Sequence, residues 1–150
     1  MEKILFYRTT EDYGAFSNFS PHPFTLKGVI WPTSEHYFQA QKFADLQHQE
    51  EIRKVASPMV AARMGRSRKR PLRSDWDVVK EDVMREALAA KFAQNLAIRS
   101  LLLATGDAEL VEHTANDRYW ADGGDGTGRN RLGQLLMELR SQMQSCPQSV

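Results

Sequence analysis

A carboxylate and an amine stand seven residues apart in one segment with a helix signal, residues 33–43. At about 100° per residue, Glu35, Gln39 and Lys42 fall on one face of that helix. The backbones of Glu35 and Lys42 would lie about 10 Å apart, with Lys42 leaning back toward Glu35. Such a gap suits a sugar held between an acid and an amine. The helix dipole also favours glutamate in any first turn and lysine near any helix end, so the pattern alone does not decide.

A glycine-rich loop at residues 116–130 is the second place where chemistry could occur. Its glycines allow a ligand to approach the backbone, and amides at the start of the helix that follows could hold an anion. Trp120 could stack on a base. The loop lacks the Gly-Lys-Ser/Thr of a Walker motif, and Asp117, Asp122 and Asp125 lack the glutamate of a calcium loop. The alternative is a plain surface loop that ends at Asn130 as a helix cap.

Six cations and no acid occupy residues 63–73, and Trp76 follows them. Arginines in such a stretch can bind a phosphate in a bidentate manner, although most charge runs are solvated surface. Asn18, in an aromatic loop near the N-terminus, could bind a sugar hydroxyl or form a turn. No His or Cys residues stand at metal-ligand spacing, so no metal site is predicted.

The composition limits the remaining classes of protein. The chain has 150 residues, a net charge of +1 and a single cysteine, Cys146. This length suits one domain, and one cysteine excludes a disulfide scaffold and fits a reducing compartment. No apolar run approaches the roughly 18 residues of a membrane span, and the N-terminus is not typical of a signal peptide. We therefore predict a cytoplasmic protein without a membrane partner.

The elements that must position these residues predict an α+β fold, mostly helical, with a small N-terminal β-sheet in one domain of residues 1–150. Residues 141–150 are predicted as a flexible tail. Alternating apolar residues and turn signals predict strands at 3–8, 24–26, 29–31 and 109–114. Helical spacing with capping signals predicts helices at about 34–46, 50–56, 58–64, 76–94 and 96–105, and a last helix after Asn130.

Five segments in family order resemble the NADAR (YbiA-like) family: residues 16–19, 31–43, 57–66, 117–120 and 128–133. They include Phe-Ser-Asn-Phe, Trp-Pro-Thr-Ser-Glu-His-Tyr-Phe-Gln and Asp-Arg-Tyr-Trp, and the likeness spans nearly the whole chain. One departure is Ala121, where the family usually has glycine after the tryptophan. If that position needs a positive φ, alanine would strain the loop by about 1 kcal/mol.

The resemblance implies an N-glycosidase, a hydrolase without a cofactor. Its expected substrate is a small phosphorylated ribosylamine, an early riboflavin intermediate, with release of ribose 5-phosphate. An alternative is removal of ADP-ribose from guanine in nucleic acid. The implied catalytic residues are Glu35, Lys42 and Asp117. The implied substrate-binding residues are Arg8, Asn18, Gln39, Arg63, Arg66, Trp76, Trp120, Asp122 and Asn130.

Two mechanisms fit the resemblance. Lys42 could hold the sugar as a Schiff base while Glu35 moves protons. Alternatively, an acid protonates the base and water attacks an oxocarbenium-like ribose. Two non-enzymatic functions also stay open: a nucleic-acid-binding module, and an interaction protein linked to motility. An acid and an amine facing one cavity would favour the enzyme. The sequence leaves the oligomeric state open.

Overall fold

The computed structural model describes residues 2–145, and it confirms the predicted α+β fold. The four strands in these residues are β1 (Lys3–Phe6), β2 (Phe24–Leu26), β3 (Val29–Trp31) and β4 (Glu109–Glu112). The six helices are α1 (Ser34–Ala40), α2 (Leu46–Arg53), α3 (Pro58–Arg66), α4 (Trp76–Gln94), α5 (Leu96–Ala104) and α6 (Arg131–Ser145). None of these helices is both long and apolar enough to cross a membrane.

The chain divides into two compact units. The central unit is Asn18–Asn95, and the terminal unit combines Met1–Ser17 with Leu96–Val150. The strands pair within these units as two separate ladders, β2 with β3 and β1 with β4. The prediction that residues 1–150 form one domain stays a prediction.

The central unit is built around helix α1, which packs against α2, α3 and α4. Thr33 begins the helix in an extended conformation, and its side chain accepts a hydrogen bond from the His36 amide. This cap satisfies one amide of the first turn. Every residue of α1 is buried, polar ones included. The antiparallel hairpin β2–β3 turns at Lys27 and Gly28, both with positive φ, as its sequence predicts.

The terminal unit contains the parallel pair β1–β4, in which Lys3 lies opposite Glu109 and Phe6 opposite Glu112. Helix α6 packs on β4 and on α5 and buries Leu132, Leu135 and Leu136. These leucines follow helical spacing, so one stripe of α6 contributes to the core of this unit.

Several predicted boundaries are wrong for local reasons. Strand β1 ends before Tyr7 because the amides of Tyr7 and Arg8 donate to the Glu11 carboxylate. Helix α2 begins earlier than predicted because Asp45 caps it by accepting from the Gln47 amide. Helix α3 continues through Gly65.

The predicted flexible tail begins too early. Residues 141–145 continue helix α6, where the Ser145 hydroxyl donates to the Ser141 carbonyl and Gln144 donates to the carbonyl of Gly106. The bond from Gln144 joins the last turn of α6 to the turn that follows α5. The rest of the predicted tail, residues 146–150 with Cys146, lies outside the described residues.

Candidate active site

Glu35 lies in the first turn of α1 and is only 9% exposed. Its backbone amide donates to the Asn18 carbonyl at 3.1 Å. One carboxylate oxygen accepts a hydrogen bond of 2.7 Å from the side-chain amide of Gln39, one turn along the helix. The i, i+4 spacing brings these two side chains together, as the sequence predicts.

Lys42 is outside the helix, contrary to the predicted single face from residue 35 to residue 42. Helix α1 ends at Ala40, and the amides of Lys42 and Phe43 bond to carbonyls only three residues back. This tighter turn carries Lys42 away from ideal helical spacing. The side chain is nevertheless 8% exposed, and its ammonium nitrogen lies 5.9 Å from the centre of the Phe38 ring.

Burial lowers the pKa of the Lys42 amine to about 8, against 10.5 for an ordinary lysine. The nearby carboxylate of Glu35 opposes this change, while the positive charges of Arg68, Arg66 and Lys80 add to it. Burial disfavours the charged form, as do neighbouring cations. At pH 7 about one Lys42 amine in ten is therefore unprotonated, and its interaction with Glu35 places the two predicted catalytic groups near each other.

The two polar atoms of the Gln39 side-chain amide differ in their hydrogen bonding. Its nitrogen donates to Glu35, whereas its oxygen is buried and has no hydrogen-bond partner among residues 2–145. An unsatisfied buried acceptor costs about 1–3 kcal/mol. The surrounding packing therefore holds the Gln39 amide in an orientation that leaves its oxygen without a hydrogen bond.

Asn18 fixes the start of α1. Its side-chain oxygen accepts a 2.7 Å hydrogen bond from the Ser34 hydroxyl, and its carbonyl accepts from the Glu35 amide. Trp76, the first residue of α4, is 8% exposed and packs edge-on against Phe38 with ring centres 5.1 Å apart. The sugar-binding role of Asn18 and the stacking role of Trp76 stay predictions.

The arginines of residues 63–73 differ in their partners. Arg70 and Arg73 form ion pairs with Glu51 and Asp75. Arg68 donates to the carbonyl of Gly65 at 2.9 Å. The Arg66 side chain is exposed and makes no hydrogen bond or ion pair with another residue of the described chain, and its charge, like that of Arg68, acts on Lys42.

This difference in partners ranks the arginines as candidate phosphate ligands. Arg66 and Arg68 are favoured, because both act electrostatically on the Lys42 amine. Arg63 is exposed, and nothing links its charge to Lys42. Nothing in the sequence distinguishes Arg68 from the other cations of residues 63–73.

The glycine-rich loop of the terminal unit satisfies its own amides. The Asp117 carboxylate accepts from the amides of Tyr119 and Trp120. The first amides of α6, those of Arg131 and Leu132, donate to the carbonyls of Tyr119 and Trp120. The predicted use of this helix start as an anion cradle is therefore wrong, because loop carbonyls already occupy it.

Asp122 is the centre of the same loop. Its carboxylate accepts from His113 at 2.7 Å and from the amides of Thr114 and Gly124. Burial alone would raise the pKa of Asp122, but the hydrogen bonds from His113 and Gly124 outweigh it and hold the pKa below its usual value. His113 is a residue that the sequence analysis missed, since a histidine nine residues from its acid gives no local signal.

Asn130 and Ala121 are two loop residues whose surroundings in the structure differ from what the sequence suggested. The Asn130 side chain accepts from the Glu112 amide and donates to the Leu110 carbonyl, so it fastens to strand β4 instead of capping α6. Ala121 is fully buried and is not among the non-glycine residues with positive φ in residues 2–145. The strain predicted for alanine at this position is therefore absent.

Arg8 lines a cavity of about 210 Å³ in the terminal unit, together with Tyr7, Glu11 and His113. The predicted substrate-binding roles of Arg8, Trp120, Asp122 and Asn130, and the catalytic role of Asp117, stay predictions. Within residues 2–145, no group of three or more His, Cys, Asp or Glu side chains could hold a metal ion.

A buried carboxylate and a buried amine of lowered pKa, held on one helix and the turn after it, make a candidate acid–base site on an α+β fold. The chain belongs to the NADAR domain family, whose profile matches residues 5–144. It is 65% identical over 140 residues to "N-glycosidase YbiA" of Escherichia coli strain K12, covering 93% of this chain and 88% of that protein.

Two further similarities extend this result. The NMR structure of the E. coli protein YbiA matches with a TM-score of 0.89 at 63% identity, covering 96% of this chain and 86% of that one. A "Riboflavin biosynthesis protein VVA0006" of Vibrio vulnificus is 44% identical over 143 residues, covering 95% of this chain but 39% of that longer protein.

Proposed function

We propose that this chain hydrolyses the N-glycosidic bond of ribosylaminopyrimidine 5′-phosphates, early intermediates of riboflavin biosynthesis, and releases ribose 5-phosphate. The observation that carries the proposal is the buried Glu35–Lys42 pair, with a Lys42 pKa of about 8, in a chain 65% identical to an N-glycosidase. The prediction of an enzyme is confirmed at the level of class, a hydrolase acting on N-glycosyl compounds. The riboflavin substrate draws support from the name of the Vibrio relative.

The chemistry begins at the exocyclic nitrogen that joins the pyrimidine to C1′ of the ribose. Such a glycosylamine opens to an imine, and the unprotonated Lys42 amine adds to C1′. The bond from C1′ to the pyrimidine nitrogen then breaks, and Glu35 supplies the proton that lets the aminopyrimidine leave. The sugar stays on Lys42 as a Schiff base.

Water completes the reaction. Glu35, now ionised, accepts a proton from water as the oxygen adds to C1′, and the bond between C1′ and Lys42 breaks. Ribose 5-phosphate and the free lysine result, so one water is consumed for each bond cleaved. Arg66 and Arg68 are the proposed partners of the 5′-phosphate, since arginine binds phosphate in a fixed, bidentate geometry.

The test uses freshly prepared ribosylaminopyrimidine 5′-phosphate and measures ribose 5-phosphate. We expect turnover by the wild type, and a loss of roughly 10²–10⁴-fold in kcat for Glu35→Gln, which keeps the shape of the side chain but cannot transfer a proton. Lys42→Arg should abolish turnover and retain ribose 5-phosphate binding, because it keeps the charge and loses the nucleophile.

The outcomes separate the alternatives. Near-normal turnover by Lys42→Arg would show that Lys42 acts only as a charge, and would favour direct attack by water. No release from the riboflavin intermediate, together with release of ADP-ribose from ADP-ribosylated guanine, would move the substrate to nucleic acid. Inactivity on both substrates would contradict the proposal.

A further inference from the structure

The side chain of Gln39 lies beside the proposed acid and is almost wholly buried. The whole residue is 6% exposed. Its side-chain nitrogen donates to Glu35 at 2.7 Å, and its side-chain oxygen is buried without a hydrogen-bond partner in the described chain. The oxygen of Gln39 is therefore shielded from solvent, and its nitrogen is engaged with Glu35.

The orientation of this amide follows from the charge of its neighbour. With the amide turned over, its oxygen would face a carboxylate oxygen of Glu35 at 2.7 Å, a repulsive contact between two acceptors while Glu35 is ionised. The nitrogen must therefore face Glu35, and the oxygen is left without a donor. The unsatisfied oxygen is a direct consequence of holding the carboxylate.

Gly65 of helix α3 makes room for this arrangement. A Cβ atom at Gly65 would lie 1.9 Å from the Gln39 oxygen and 2.7 Å from the adjacent carbon, far inside van der Waals contact. Gly65 has no positive φ, so its backbone conformation does not require glycine. Glycine inside a helix weakens the helix, and its presence here is explained by the space that Gln39 needs.

We propose that Gln39 is a positioning residue that fixes the Glu35 carboxylate for proton transfer, and that Gly65 is the residue that permits Gln39 to do so. The inference rests on the proposed function of Glu35 as the acid and base. It assigns Gln39 an indirect role in kcat and no contact with the substrate. It also makes the orientation of Glu35 on α1 depend on the absence of a side chain at Gly65 of α3.

The test compares three variants with the wild type. Gln39→Met keeps the length of the side chain and removes the hydrogen bond. Gly65→Ala crowds Gln39 from the other side while improving the intrinsic helix propensity of α3. Gln41→Met is the matched control, because Gln41 is equally buried but bonds to Lys27 and Gln49.

We expect Gln39→Met and Gly65→Ala to lower kcat by roughly tenfold or more with little change in KM, and Gln41→Met to leave kcat within about twofold. Carbon-13 NMR of Glu35 provides a readout that is independent of turnover. Without the hydrogen bond to the ionised carboxylate, its titration midpoint should rise in Gln39→Met and stay in place in Gln41→Met.

A raised KM with unchanged kcat in Gln39→Met would instead make Gln39 a substrate ligand and overturn the inference. An unchanged kcat and an unchanged Glu35 titration would also overturn it. If the wild type itself shows no turnover, the proposed function fails, and the Glu35 titration in Gln39→Met still decides whether Gln39 fixes the carboxylate.

Discussion

Lys42 shows how three competing effects set the reactivity of one residue. Burial is the largest and favours the neutral amine, and the positive charges of Arg68, Arg66 and Lys80 act in the same direction. Glu35 acts in the opposite direction, and burial outweighs it. The Glu35 carboxylate can thus stay close without holding the amine fully protonated.

The pH dependence of Lys42 follows from this balance. Because its pKa is about 8, the unprotonated fraction rises about tenfold per pH unit up to pH 8 and then levels off. We expect the rate of borohydride trapping of ribose 5-phosphate on Lys42 to show the same rise and plateau. Mass spectrometry of the modified peptide measures it.

Arg68→Ala provides the comparison for this prediction. Without that nearby cation the protonated amine is less disfavoured, so the plateau should move to higher pH. Arg70→Ala is the control, since Arg70 is paired with Glu51 and does not act on Lys42. A trapping rate independent of pH between 6 and about 9 would contradict the prediction.

At the scale of elements, the loop after β4 is held by side chains that act on its own backbone. The sequence predicted the loop from its glycines, and the structure places Gly123, Gly124 and Gly126 at positive φ. The sequence could not predict where the loop amides bond. That depends on Asp117 and Asp122, whose oxygens reach amides two or three residues away or on another segment.

Asp122 and Asp125 form a matched pair for testing the loop. Asp122 is buried and accepts from three donors on two segments, whereas Asp125 is exposed and bonds mainly to Thr127. We expect Asp122→Asn to lower the free energy of unfolding by about 1–3 kcal/mol, because a buried acceptor oxygen is replaced by a donor.

Asp125→Asn should change it by less than about 0.5 kcal/mol, as is usual for surface positions. Urea denaturation of both variants measures the difference. Equal losses would mean that the Asp122 hydrogen bonds contribute no more to the loop than an exposed turn does.

Helix α1 shows how far sequence reasoning reaches. Its start near residue 34 and the placement of Glu35 and Gln39 on one face follow from local patterns and were predicted. Its end was not, because no glycine or proline stops the helix, and the chain instead tightens after Ala40. The low exposure of Lys42 and the space over Gly65 arise from packing of distant segments, which periodicity in one helix does not reveal.

For the whole molecule, buried ionisable groups set the pH at which the fold is most stable. Lys91 of α4 is fully buried, and this burial lowers its pKa to about 7. Since the unfolded chain keeps Lys91 protonated up to about pH 10.5, it binds more protons than the folded chain above pH 7, and stability rises with pH there. Lys42 adds to this rise above pH 8.

Tyr37 limits the rise at high pH. Burial and the hydrogen bond to Glu86 raise the pKa of its phenol above the usual value of 10. The unfolded chain therefore loses this proton first, and stability falls above about pH 10. The free energy of unfolding should reach its maximum near pH 9 to 10, well above neutrality.

We expect Lys91→Met to raise the free energy of unfolding at pH 7 by on the order of a few kcal/mol, because it removes a buried charge while keeping the apolar stem. The rise in Tm between pH 7 and 9 should also become smaller, as measured by calorimetry. Lys54→Met is the control, since Lys54 is exposed. The explanation fails if the wild-type Tm is flat over this range, or if Lys91→Met keeps the full slope.

The terminal unit, finally, is made from the two ends of the chain. Strand β1 pairs with β4, so Lys3 pairs with Glu109 although the whole central unit lies between them in the sequence. During synthesis the central unit is a continuous stretch that can form its contacts as it emerges from the ribosome, whereas the first strand waits without a partner. Such long-range pairing is slow because loop closure must precede it. We therefore expect the pairing of β1 with β4 to be a late folding step, and we expect residues added before β1 to slow that step first.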